Sequence, residues 1–277
     1  MRTRIFNKML AQEVEDYLAR GGNTIYVAVG VTEVHGALPI DCETIMPEGF
    51  ALEMAEQSDG LAMINLPYFF PGGTIISNAT VQVSVEDSIK YLKMITRSLI
   101  AQGFQKIIYI SGHGPASLYI DATCRDIFQE TKVHVTHINL MPIMMSFTPK
   151  EAQGFEGMNK LMYGCYAKMH QEVFLPVDPN AVEISRPKMD PNNVLNRLEA
   201  VLQKIGSRPS IYYGALEEHG GGKPFASEKE RHAACEEGLR LLHDTVAKIP
   251  LSELQAALDD YAVYVQKVCE KFPRITK

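Results

Sequence analysis

The 277-residue chain has no tryptophan, so no indole can wall a binding pocket. It has five cysteines, an odd number spread far apart at Cys42, Cys124, Cys165, Cys235 and Cys269, with no CxxC pair. That excludes a cysteine-based zinc site or a dithiol redox centre of the usual spacing and points to a reduced, cytoplasmic protein. No stretch approaches the roughly 20 consecutive apolar residues that cross a bilayer. The basic opening Met1-Arg-Thr-Arg-Ile-Phe-Asn-Lys8 is not followed by the apolar core of a signal peptide. Basic runs are also missing. With 27 Lys+Arg against 33 Asp+Glu, the net charge is −6, which offers no footprint for nucleic acid or an anionic membrane. A small-molecule partner is the remaining expectation.

What the chain does have is apolar segments of two periods. Thr24–Gly30, Leu61–Leu66, Lys106–Ile110 and Val133–Ile138 are short apolar runs, rich in β-branched residues, and read as buried strands. Between them lie segments of helical spacing. Phe6–Leu18 ends at Gly21-Gly22. A helix begins near Pro47, which suits a first helical position. Ser84-Val-Glu-Asp87 opens a helix that runs to Gln102 and stops at Gly103, and another covers about Leu118–Glu130. Ser227-Glu-Lys-Glu230 is a capping box for a helix to about Ala247, and a last helix covers about Ser252–Lys271. Strands alternating with helices predict an α/β fold, a mostly parallel sheet flanked by helices on both faces. Residues 141–190, crowded with Met141, Met144, Met145, Met158, Met162 and Met169, read by default as core packing. An inserted lobe, a substrate-facing wall or a subunit interface are the other readings. With no repeat or low-complexity linker, residues 1–277 are taken as one domain.

Two loops carry the chemistry. Glu33-Val-His-Gly-Ala-Leu-Pro-Ile-Asp-Cys-Glu43 follows the first strand, and Ser111-Gly-His-Gly114 follows the third. In an open parallel sheet both emerge at the carboxyl edge, where ligands bind. Glu33 and His35, two residues apart, point the same way in extended chain. Carboxylates and imidazoles in this mixture suit a divalent cation such as zinc or manganese. A third cluster, Glu217-Glu-His-Gly-Gly-Gly222, follows a short apolar segment Ile211-Tyr-Tyr-Gly214 read as a strand. Glu218 and His219 are candidates there for proton transfer, and Glu218 also for a metal ligand. His170 with Glu172 is a weaker pair; His134, His137, His232 and His243 read as structural, and Cys42 as packing.

Gly30-Val-Thr-Glu33-Val-His35-Gly36-Ala-Leu38-Pro39 with Cys42-Glu43-Thr44, then Phe70-Pro-Gly-Gly73-Thr74-Ile75, Ser111-Gly-His113-Gly114 and Ala226-Ser-Glu-Lys229, resembles in order and spacing the motifs of the creatininase (creatinine amidohydrolase) family. The resemblance implies a creatininase-like fold assembled as a homo-oligomer, usually a hexamer, that hydrolyses small cyclic amides, formamides or certain peptides. Some relatives act on ring ketones of inositol catabolism. It further implies that Glu33, Glu43 and His113 hold one metal, and that His35 and Glu43 contribute to a second with Glu43 bridging. The Phe70–Ile75 block is taken to bind substrate through Gly73 and Thr74. The chain departs from the family at several points, among them Ser111 in place of Asn and no recognisable Glu-Thr-Ser block near 160–175. The first loop is one residue shorter and lacks a second histidine. Glu43 stands in place of Asp, so Asp41 is an alternative ligand. Pro115 stands where creatininase has a metal-binding Glu. The family enzyme's substrate-lining tryptophans have no counterpart, which argues against creatinine itself. The expectation is a metal-dependent hydrolase opening a cyclic amide C–N bond. The alternatives are C–C hydrolysis of a cyclic polyol ketone such as a keto-inositol, a metal-dependent isomerase or lyase, or a non-catalytic ligand-binding relative.

Overall fold

A computed structural model describes residues 1–149, 155–184, 192–205 and 211–273. Strand β1 (Thr24–Ala28) is buried at every residue, and so is β3 (Lys106–Ser111). Strands without a solvated face must be covered on both sides, and the apolar runs supply both faces at once. β1 pairs in parallel with β2 (Leu61–Met63), Tyr26 opposite Ala62, and with β3, Tyr26 opposite Ile108. β3 in turn pairs in parallel with β4 (Val135–Asn139), Tyr109 opposite His137. The strand order β2-β1-β3-β4 therefore reverses direction between β1 and β3.

Side chains alternate across this sheet. Ile25, Val27, Ile107 and Tyr109 pack with Tyr17 of α1 (Ala11–Ala19), Leu92 and Leu99 of α3 (Val85–Ala101), and Tyr119 and Ile127 of α4 (Ser117–Thr131). Tyr26, Ala28, Ile108 and Ile110 face the other way. They pack with Phe50 of α2 (Cys42–Gln57), Met144 of α5 (Leu140–Phe147), Leu161 and Cys165 of α6 (Phe155–Lys168), and Leu242 of α8 (Glu228–Val246). The expected α/β architecture is the observed one. Helices α7 (Val194–Lys204) and α9 (Leu251–Lys271) complete the described elements. No helix among the described residues is long and apolar enough to cross a membrane.

The caps follow the sequence closely. Ser84 accepts from the Asp87 amide, and Ser227 from the Glu230 amide at 3.2 Å. Glu230 returns its carboxylate to the amide of Ala226, one residue earlier than in a full capping box. Two expectations fail. Pro47 is not at a first helical position, because α2 already starts at Cys42 and runs through it. The proline removes the N–H that would bond the Glu43 carbonyl, and the burial of nearly every residue from Cys42 to Ala55 holds the helix across the gap. Ile211–Gly214 is not a strand. Its Tyr213 amide bonds Gly73 O at 3.2 Å. In the methionine-rich region, Met144 and Met162 are core residues while Met145 is exposed; residues 150–154 and 185–191 lie outside the described residues.

Phe50 is fully buried between the sheet and α6. Phe50→Ala is expected to cost about 3–5 kcal/mol in denaturant unfolding; a loss under about 1 kcal/mol would contradict the packing of α2 described here.

Candidate metal centre

The reversal of strand order between β1 and β3 brings the loops after both strands to one edge, the place where open α/β sheets bind ligands. As the chain leaves β1, the Val29 amide still bonds Ile110 O and the Gly30 amide turns to Leu66 O. The loop then folds back, with the Glu33 amide on Ile40 O, and delivers the chain into α2. Thr44 Oγ1 donates to Val31 O at 2.9 Å and pins the first turn of that helix to the start of the loop. Glu43 in that turn is thereby brought beside Glu33. His113 follows β3 by two residues and reaches the same place, its Nδ1 2.6 Å from Glu43 Oε2 and 3.3 Å from Glu33 Oε1. Thr74 donates its hydroxyl to Glu33 Oε2, leaving Oε1 turned inward.

Glu33 and His113 are almost fully buried. Burial, and then the hydrogen bond shared with Glu43, pushes the Glu33 carboxyl up to about 7. Burial also acts to raise Glu43, but the positive charge of His113 outweighs it and holds that carboxyl below its usual range. Burial acts against a charged His113; the two carboxylates overcome it and lift the imidazole to about 10. Two acids thus share one compensating proton. A divalent cation takes the place of that proton naturally. The donors present fit one: Glu33 Oε1 is buried without a hydrogen bond, and the ligand atoms of Glu33, Glu43 and His113 lie within 4.8 Å of one another.

A second group meets the same standard: Glu33, His35 and His219 also offer ligand atoms within 4.8 Å of one another. His219 arrives from far along the chain because two glycine segments interlock. Gly36 has φ +58° and Gly220 φ +95°, and a Cβ on Gly220 would lie 2.7 Å from the Gly36 nitrogen. Only glycine allows both the positive φ and the close approach. The Ala37 amide reaches Gly221 O at 3.4 Å. The His219 ring stands edge-on to His35, centroids 4.9 Å apart, and burial shifts its pKa down.

The sequence profile described as "Creatininase: Creatinine amidohydrolase" matches residues 7–167. The chain belongs to the creatininase family. No curated protein matches it in sequence. Among solved structures, a putative creatinine amidohydrolase from Bacteroides fragilis NCTC 9343 aligns with a TM-score of 0.64 at 19% identity, over 95% of this chain and 98% of the other. A mutant creatininase described as "Zn-Zn type" aligns at 0.60 and 17% identity, over 90% and 100%. "Creatininase Mn" aligns at 0.59 and 17% identity, over 90% and 100%. At these identities the likeness is one of fold.

Within this creatininase-family fold, the residues named from the sequence fall in different places. Glu43, not Asp41, meets Glu33 and His113; the Asp41 carboxylate accepts from the Tyr166 hydroxyl. The residue common to both candidate groups is Glu33, whereas the resemblance implied Glu43, because Glu43 lies on the His113 side of the cluster. Thr74 is 1% exposed and donates its hydroxyl to Glu33, so it supports that carboxylate. Gly73 is likewise covered: a Cβ there would lie 2.2 Å from Ile211 O. Glu218 belongs to neither group and turns back on its own loop, accepting from the Gly214 amide at 2.6 Å. Pro115 sits in a short 3₁₀ turn against Gly72. His170 follows α6 with φ +56°, and neither it nor Glu172 belongs to a candidate metal group. His134 packs between Phe128 and Tyr261, His232 pairs with Glu236, and His243 pairs with Glu53. His137 links Asp121 to the buried Ser111 hydroxyl. Sequence reasoning missed Thr74 as a partner of Glu33 and the docking of the late loop on Gly36. The glycines of both loops were the available signal for the second.

Gly220→Ala, which forces a Cβ into the Gly36 backbone, is expected to raise amide hydrogen exchange across residues 215–222 and at Ala37. Unchanged protection would contradict the interlock. In metal-stripped protein, His113 has a folded pKa above the roughly 6.5 of an unfolded imidazole. Its stabilising proton is therefore fully present below about pH 6.5 and lost as pH rises through about 10. Glu33, raised from 4.5 to about 7, acts in the same direction over that lower window. The thermal midpoint of the stripped protein is expected to fall between pH 7 and 10, and His113→Gln to flatten the fall. A midpoint constant or rising over that range contradicts the coupling.

Proposed function

We propose that this creatininase-family chain is a divalent-metal-dependent amidohydrolase that opens the carbonyl–nitrogen bond of a small cyclic substrate. The observation that supports it best is the convergence of Glu33, Glu43 and His113 at the carboxyl ends of β1 and β3. Zinc and manganese suit this oxygen and nitrogen donor set, and relatives of the same fold are described as Zn-Zn and Mn forms. When bound, such an ion polarises a carbonyl and lowers the pKa of a coordinated water to about 7.

The chain's own contribution is placement. Thr74 fixes the Glu33 carboxylate so that Oε1 faces the centre. The first turn of α2 fixes Glu43, and β3 fixes His113. The glycine-tethered loop carrying His219 packs against the loop of Glu33 and His35. Five free thiols agree with the reduced, cytoplasmic setting this reading carries. A homo-oligomer, hexameric by family resemblance, belongs to the same reading. Ile40, Tyr68, Tyr91 and Phe174, exposed along one groove, supply apolar surface for it.

One observation favours a second substrate class. His35 and Tyr213 both pack against the His219 ring, all three with polar atoms, and the chain has no tryptophan to form an apolar cage. A hydroxyl-rich ring, such as a cyclic polyol ketone cleaved at C–C, suits that lining.

Product analysis on panels of lactams and cyclic polyol ketones separates the two. Turnover is expected to vanish on chelation and return with zinc or manganese. Glu43→Gln is expected to lower kcat by roughly 10²–10³-fold, and Thr74→Val by roughly tenfold or more. Turnover indifferent to chelation, or purified protein unable to hold a divalent ion, would overturn the reading.

A further inference from the structure

We infer that His219, from the loop after residue 214, is a ligand of a second divalent cation together with His35 and Glu33. The profile match to the family ends at residue 167, so this ligand comes from outside the matched segment. The inference rests on the hydrolase reading above and gives that site a second ion.

The first argument is tautomeric. His219 Nδ1 lies 3.0 Å from Val34 O. A carbonyl oxygen only accepts, so Nδ1 carries the proton and Nε2 carries the lone pair. Metal-bound histidines are held in this way, one ring nitrogen donating to a backbone carbonyl and the other facing the ion. Here the carbonyl belongs to the residue between Glu33 and His35, so the bond that fixes the tautomer also sets the ring beside the other two donors.

The second argument is reach. His219 Nε2 is 4.0 Å from Glu33 Oε1, too far for a hydrogen bond. Two metal–ligand bonds of about 2.1 Å each separate their outer atoms by about 3.4 Å at the tetrahedral angle and by about 4.2 Å at most, so the gap is within reach of one shared cation. Glu33 Oε1 is buried without a hydrogen bond and also faces His113 at 3.3 Å. One carboxylate oxygen thus looks onto both groups, the arrangement by which paired metal ions share a ligand. The third argument is the scaffold. The interlock of Gly36 with Gly220 and Gly221 holds the backbone of the late loop against the His35 loop. Pro115, in the turn after His113, provides no donor. His219 supplies one by a different route.

The test is metal content of the full chain after equilibrium dialysis against zinc or manganese, read by elemental analysis. Native protein is expected to hold about two ions per chain. His219→Ala, His35→Ala and His113→Ala are each expected to leave about one, and Glu218→Gln, altered one residue away, about two. Manganese-loaded native protein should give the electron paramagnetic resonance signature of an exchange-coupled pair. That signature should become an isolated ion in His219→Ala and in His35→Ala, two variants in different loops, so that a misfolded one does not decide the matter. Native protein holding one ion, lost in His113→Ala and kept in His219→Ala, overturns the second site and leaves the hydrolase reading standing. Two ions retained in His219→Ala remove His219 as a ligand. No ion in native protein overturns both.

Discussion

The parallel pairing of β1 with β3, Tyr26 against Ile108, is the constraint on which the site depends. Chain connections on either side of that pair leave in opposite directions, β2 lying beyond β1 and β4 beyond β3. The space above the pair is thus left without a crossing helix, and the two loops that leave it must share it. A donor on each loop is then enough to build a common centre. Glu33 and His113 are 80 residues apart in sequence, yet their functional atoms are 3.3 Å apart because the strands beneath them are hydrogen-bonded neighbours.

The cost of this arrangement is electrostatic. Two carboxylates and an imidazole in a buried crevice cannot all adopt their solution charges. The structure spreads the burden: Glu33 is pushed toward the neutral acid, Glu43 is kept ionised, and His113 carries the balancing charge. Such a cluster contributes little to stability compared with apolar packing of the same volume. A cation held there would replace the proton's charge.

Much of this was legible in the sequence, for physical reasons that can be named. The buried strands announced themselves because residues covered on both faces leave no room for polar alternation. Ser84 and Ser227 marked helix starts because a hydroxyl beside a free amide works locally, whatever packs above it. Glu33, Glu43 and His113 were legible from position after strands, with Glu43 and Asp41 left as alternatives. Only the fold of the first turn of α2, held by Thr44 on Val31, distinguishes them. The placements of Thr74, Glu218 and His219 were not legible. Each depends on a loop meeting another loop, and short polar loops carry no periodic signal. Pro47 misled because α2 is held by tertiary burial strong enough to override a local helix-start preference.

The account stands on an ion seated at the crossing of the two loops. Anomalous diffraction at the zinc absorption edge, on crystals of the full chain equilibrated with zinc, tests that directly. The account predicts a strong peak bounded by Glu33, Glu43 and His113 above the carboxyl ends of β1 and β3. Zinc located only on surface histidines such as His232, with that crevice filled by solvent, would contradict it.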